Sequence, residues 1–289
     1  MNNQRLSYFI DSASRYFGNK SCPFCKTENV KLIDRKYFVT RLFECTKCHL
    51  YFRHPKDKKG FNTDFYQEQY EEFGITTNIP YGTQLAIFKQ NNFKNSGKDY
   101  SDKIRTMSLL KPGKIKVVDY GSSWGYVSYQ FKNAGFITQS FEISSSMAKK
   151  GNELLGLDIK NNLDDLVGDN DIFFTSHVIE HLSDINHLFQ VAKKLLKPDG
   201  IFVAYSPNGS KAYRKLHPEI FHSLWGLVHP NFMNSDFYST VFNKNPYIIT
   251  SCPYDKLSLF TNWDSKSHII GDTSGEELLF ICKINENCI

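Results

Sequence analysis

No stretch of about eighteen or more apolar residues exists in this chain to cross a bilayer as a helix, so a membrane span is not expected. The first residues place Arg5, Asp11 and Arg15 where a secretory signal needs an apolar core, which reads instead as a short amphipathic helix. A disulfide framework is also missing. The seven cysteines are odd in number and four of them fall into two C-x-x-C pairs, a usage that suits a reducing cytoplasm. Cys252, Cys282 and Cys288 are expected to be ordinary thiols. Charge is in small excess, +5 with a pI near 8.6, which permits contact with nucleic acid without arguing for it. The glycines do not spell G-x-G-x-x-G, because position 123 is serine, and no P-loop lysine is present.

With 289 residues the chain can hold one full α/β domain and a smaller appendage. The appendage is written first. Cys22-Pro23-Phe24-Cys25 and Cys45-Thr46-Lys47-Cys48 flank a strand-like interval containing Val30, Leu32, Ile33, Tyr37, Phe38 and Val39. Two knuckles joined by a hairpin are the spacing of a zinc ribbon, with Cys22, Cys25, Cys45 and Cys48 as ligands. Four thiolates leave no open position, so the zinc is expected to be structural. His49 and His54 read as surface residues. Lys31, Arg35, Lys36, Arg41, Lys47, Arg53, Lys56, Lys58 and Lys59 read as a solvated basic face, with RNA or an anionic substrate as the sharper alternative. Residues 61–73, with Phe65, Gln69 and Phe73 at helical spacing, predict a helix packing the ribbon onto the main domain. Tyr66 and Tyr70 are alternatively cleft residues. One or two helices follow over residues 85–110, ended by Lys111-Pro112-Gly113.

The main domain is organised around residues 115–142. A short apolar run ends on Asp119 and breaks into a turn bounded by Gly121 and Gly125. A helix with Val127, Phe131 and Ala134 on one face follows, closed by Gly135, and a second strand ends in Glu142. Such a turn brings backbone amides at a helix N-terminus toward a ligand, and a carboxylate ending the second strand can hold the hydroxyls of a ribose. Further on, residues 144–155 predict a helix, 156–160 a third strand, 171–176 a fourth and 200–206 a fifth. Residues 247–252 and 277–284 would finish the sheet as an antiparallel edge. Between them, residues 208–245 are aromatic, histidine-rich and loop-like.

The turn resembles the first motif of the class I S-adenosylmethionine (SAM) methyltransferases, acid-x-G-x-G-x-G, with Asp119, Gly121 and Gly125 matching and Ser123 at the middle glycine. The fourth-strand run DIFFTSHVIEHLSDI and the turn Lys197-Pro198-Asp199-Gly200 resemble the same family, so the likeness covers residues 114–208. It implies an α/β, Rossmann-like sheet with helices on both faces. It also implies a cofactor held by Asp119, Gly121, Ser122, Gly125 and Glu142, with Asn162 near the adenine and His177 as a wall. His177-Val178-Ile179-Glu180-His181 also spells the inverted H-x-x-E-H of zinc proteases, but His177 ends a strand where that site needs a long helix.

A four-cysteine ribbon joined to this domain is similar to bacterial enzymes that tailor sugars, glycans and natural products. That likeness implies O- or C-methylation of a small polar acceptor, with His181 or His229 as general base and Glu180 orienting it. His217 and His222 are further candidates. The expected division is a ribbon at 1–60, a helical connector at 61–113, and a methyltransferase domain at 114–289 with an acceptor-side insertion at about 208–245. The rivals are an RNA methyltransferase gripping its substrate through the basic ribbon, and a non-catalytic SAM-binding protein.

Overall fold

The computed structural model describes residues 9–10, 12–57, 78–226, 229–253 and 257–284. The expected helix at 61–73, its tyrosines, Lys58, Lys59, Cys288 and most of the N-terminal helix lie outside them. Twelve strands are described: β1 (Val30–Lys36), β2 (Thr40–Cys45), β3 (Tyr51–His54), β4 (Lys116–Tyr120), β5 (Ile137–Phe141), β6 (Ile159–Lys160), β7 (Asn170–Ser176), β8 (Leu196–Pro207), β9 (Asn231–Phe232), β10 (Tyr247–Cys252), β11 (His268–Ile270) and β12 (Glu277–Cys282).

Eight of these form one sheet in the order β11-β10-β12-β8-β7-β4-β5-β6. Strands β6, β5, β4, β7 and β8 run parallel, whereas β12 is antiparallel to both β8 and β10. Strand order reverses between β4 and β7, so a crevice opens outside the carboxyl ends of β4, β5 and β7. The central strands are apolar on both faces because helices cover both. Val118, Phe173, Phe202 and Phe280 pack with the helices Ile185–Leu195 and Ser235–Val241. Their neighbours Val117, Phe174, Val203 and Ile281 pack with Ser101–Leu110, Tyr126–Asn133 and Ser145–Leu155.

The ribbon is a four-stranded sheet, β1-β2-β3-β9, whose last strand comes from far along the chain. Tyr51 pairs with Phe232 and Phe52 with Asn231, while Arg53 N donates to Pro230 O at 2.7 Å. Cys22, Phe43, Cys45, Cys48, Leu50 and Phe52 join the core on the same sheet face as the helix Ser235–Val241.

Several expectations are corrected. Tyr37 and Phe38 are not strand residues: both have positive φ, 50° and 61°, and form the exposed hairpin turn. Residues 208–245 are not loop-like, for they carry the short helices Lys211–Leu216, Pro218–Leu224 and Ser235–Val241. Lys197-Pro198-Asp199-Gly200 lies within β8, where pairing starts at Leu196 opposite Asn170 and shifts register before Ile201. Ala134 is exposed, so the buried face of its helix is Val127, Phe131 and their neighbours.

His54 is buried, not at the surface, between Arg41 at 3.1 Å and Gly18 O at 3.1 Å, and burial lowers its pKa to about 4. The basic face is only partly solvated. Arg41 is buried against the Tyr16 ring at 3.9 Å. Arg53 is buried, pairs with Asp57 and donates to Gly226 O at 2.8 Å. Lys36 sits 4.5 Å over the Trp225 ring. Lys31, Arg35 and Lys47 remain exposed.

Candidate active site

The glycine turn between β4 and the helix Tyr126–Asn133 bends back on the end of β5. Gly121 and Gly125 have φ of 83° and 81°, a region glycine enters without strain. A Cβ on Gly121 would meet Val178 Cγ2 at 2.3 Å, and one on Gly125 would meet Leu157 Cδ1 at 2.5 Å. Both glycines are therefore required by packing as well as by backbone. Ser123 also has positive φ, 51°. The amides expected to face a ligand are committed inside the protein. Gly121 N and Ser122 N donate to Phe141 O at 2.8 and 2.9 Å, Ser123 N to Glu142 Oε2 at 2.8 Å, and Gly125 N to Ser122 O at 2.8 Å. What the turn offers instead is two buried hydroxyls, Ser122 Oγ and Ser123 Oγ, that have no hydrogen-bond partner.

The crevice contains a cavity of about 300 Å³, at the small end of the range for ligand sites. Asp119, Gly121, Ser122, Ser123 and Glu142 line one side, His177, His181, Asp184 and His187 another, and Tyr100, Tyr126 and Phe141 are among its rings. Glu142 is buried, and burial raises its pKa against the pull of the backbone amides that bond it. Its oxygens accept the amides of Ser123 and Ser144, and the Ile143 amide bonds it as well, which leaves capacity for a further donor on the carboxylate. Burial, with the nearby Glu142 charge, raises the Asp119 carboxyl to about 7 although Ser128 Oγ donates to it at 2.5 Å. A buried carboxylate, two unpartnered hydroxyls and aromatic walls are a donor set that suits an adenosine-bearing ligand.

Gly125 and Asn162 do not line the cavity. Gly125 is the residue before its helix, and Asn162 is exposed, its side-chain oxygen accepting from Asp164 N at 3.2 Å to cap a short 3-10 turn. Glu180 and His229 stand behind the lining, and His181 reaches into it. Glu180 is fully buried, 3.5 Å from His177 Nδ1 and 3.9 Å from His181 Nε2. Burial opposes its charge, but the three histidines His177, His181 and His229 outweigh that and lower its pKa. The rings of His181 and His229 are 4.7 Å apart, whereas His222 binds Asp34 at 2.7 Å and His217 is exposed between two helices.

Sequence reasoning missed the cluster beside His177. Glu277, on β12, accepts from Lys103 Nζ at 2.5 Å and lies 2.7 Å from His177 Nε2, and Tyr100 OH meets Ser176 Oγ at 3.1 Å. Burial works against ionisation of Glu277, yet Lys103 and His177 together hold it at about 2. Burial likewise lowers His177, but Glu180 and Glu277 push it up to about 9, in a ring still 44% exposed to the cavity. No local pattern announces Glu277. Tyr100 and Lys103 flag themselves only as the start of a connector helix.

In the ribbon the four thiols converge: Cys22 Sγ and Cys48 Sγ are 3.6 Å apart, and Cys25 Sγ and Cys45 Sγ 3.4 Å. A tetrahedral zinc with bonds of about 2.3 Å needs sulfur separations near 3.8 Å, so the four residues fit that ion.

Among the described residues no helix is long and apolar enough to cross a membrane. Comparison with curated proteins finds no match. Similar solved structures include a TehB-like SAM-dependent methyltransferase from Corynebacterium glutamicum, at 15% identity, covering 69% of this chain and 97% of that one with a TM-score of 0.42. A SAM-dependent methyltransferase from Archaeoglobus fulgidus gives 14%, 70%, 99% and 0.43. The geranyl diphosphate C-methyltransferase from Streptomyces coelicolor gives 12%, 76%, 97% and 0.46. Residues 91–246 match the family model described as a methyltransferase domain. That match spans more than half of the chain, which therefore belongs to this family and is a class I SAM-dependent methyltransferase.

Proposed function

We propose that the protein methylates a small polar acceptor, a sugar or glycan hydroxyl or an adjacent carbon, with structural zinc in its ribbon. The observation that carries the reading is the lining of the cavity, which brings Asp119 and Glu142 together with His177, His181 and His187 outside the carboxyl ends of β4, β5 and β7. SAM supplies an electrophilic methyl. Glu142 holds the ribose, Ser122 and Ser123 supply hydroxyls to the same ligand, and Asp119 sets the floor of the turn. Holding acceptor and methyl donor in line can contribute about 7–11 kcal/mol to lowering the barrier. Proton removal is worth a further factor of about 10² to 10⁴, and it falls to the group formed by Glu180, His181 and His229.

An RNA acceptor is the rival reading; among the described residues of the basic face, Arg41, Arg53 and Lys36 are engaged in packing and Lys56 donates to Ser21, which leaves Lys31, Arg35 and Lys47 to support it. Labelled SAM offered with nucleotide-sugar, glycan and RNA fractions tests the choice: label is expected in a sugar-containing fraction, and label in RNA alone refutes the reading. For the cofactor side, Glu142→Gln keeps one acceptor oxygen for the amides that bond it. It is expected to weaken SAM in calorimetry by tenfold or more, and unchanged affinity would remove Glu142 from the ribose.

A further inference from the structure

We propose that Glu180, His181 and His229 form a second metal site, for a divalent first-row transition ion, on the acceptor side of the cavity. One ligand atom from each of the three lies within 4.8 Å of the others. Glu180 Oε1 and His181 Nε2 are 3.9 Å apart. A tetrahedral ion with bonds of about 2.1 Å to nitrogen and oxygen needs separations near 3.4 Å, so modest side-chain adjustment closes the set.

Two further observations point to a ligand. Glu180 is completely buried, and neither of its carboxylate oxygens accepts a hydrogen bond. The imidazoles that offset its charge stand at 3.5 and 3.9 Å, and an ion between it and the rings of His181 and His229 would bond its oxygens directly. The second is the orientation of His229. Its Nδ1 donates to Leu224 O at 2.6 Å, which fixes the proton on that nitrogen and leaves Nε2 with its lone pair. Ligand histidines are commonly held by a carbonyl in this way. His177 is not part of the set, because its Nε2 is taken by Glu277 at 2.7 Å.

Two imidazoles and one carboxylate suit a transition ion and leave at least one coordination position unfilled by protein. His181 and His229 are only half-buried and His181 lines the cavity, so that position is accessible from it. A hydroxyl of the acceptor bound there would lose its proton more easily, the ion acting as Lewis acid; with Glu180, His181 and His229 engaged as ligands rather than bases, the proton would pass to water in the cavity. This acceptor role rests on the function proposed above; the binding of the ion does not.

The test uses the purified full chain with its ribbon metal in place, titrated with Mn²⁺ and followed by the loss of the free-ion electron paramagnetic resonance signal. Thiolates disfavour Mn²⁺, so the ribbon does not compete. One Mn²⁺ per chain is expected, with binding weakened more than tenfold in Glu180→Gln and in His229→Gln. Zinc content and calorimetric SAM affinity in the same samples report that both variants are folded. Wild-type protein that binds SAM but takes up no Mn²⁺, or folded variants that bind it equally well, would overturn the site. Mn²⁺ uptake lost in both variants supports the site even where no sugar fraction accepts methyl, in which case only the acceptor assignment fails.

Discussion

Ser123 is the one residue of the cofactor turn whose side chain works against its backbone. Its φ of 51° lies in the left-handed region, which costs an L-residue about 1–2 kcal/mol relative to its ordinary conformations. Its hydroxyl is buried without a partner, which adds a desolvation penalty of about 1–3 kcal/mol. Ser123→Gly removes both while keeping the amide that donates to Glu142. Glycine returns about 0.5–1 kcal/mol through the freedom it has in the unfolded chain. The variant should therefore be more stable than the wild type, by about 1 kcal/mol at the low end of that balance. For a chain of this size that is a rise of about 2 °C or more in Tm. Calorimetric melting without SAM reads this directly. Melting with SAM at one concentration, the same for both proteins, separates strain from function, since a hydroxyl that bonds the cofactor makes the gain shrink as ligand is added. A variant no more stable than wild type without ligand would show that the turn is relaxed and that its serine is not a compromise.

Two more outcomes follow from the same geometry. Gly121→Ala places a methyl 2.3 Å from Val178 Cγ2 at a φ of 83°, so it should destabilise by about 2–4 kcal/mol in urea melts. Val178→Ala should recover the steric part and leave the backbone part. Cys45→Ser should lower the zinc content from one per chain to none by elemental analysis, and a wild-type chain that is folded and metal-free would refute the ribbon.

The parts legible in the sequence are those written by short-range pattern. The apolar runs at β4, β7 and β8 and the glycines after Asp119 specify a parallel sheet because each strand must be covered on both faces, and the cysteine spacing specifies the knuckles. What was not legible depends on partners far along the chain. Glu277 reaches His177 across 100 residues and Lys103 across 174, and nothing in its own neighbourhood marks it. Arg41, Arg53 and His54 carry residue types that suggest solvent, yet they are buried against rings, carbonyls and Asp57. Helices of six or seven residues at 211–241 are too short for a 3.6-residue period to show through so many aromatics. Tyr37 and Phe38 have strong strand propensity, but the hairpin needs its turn there.

The two-residue strand β9 ties the four-cysteine module to the segment that carries His229. His229 lies just ahead of Asn231, and Arg53 on β3 grips the same segment through Pro230 O and Gly226 O. With zinc bound as proposed, the ribbon acts as a splint: ion binding worth about 10–16 kcal/mol in comparable peptides would stiffen a sheet whose outer edge holds that imidazole in register. Coupling of this kind runs in both directions. On the same proposal, a ligand that fills the cavity and pins His229 should slow the escape of zinc to a chelator, and a chain stripped of its zinc should show a loosened wall.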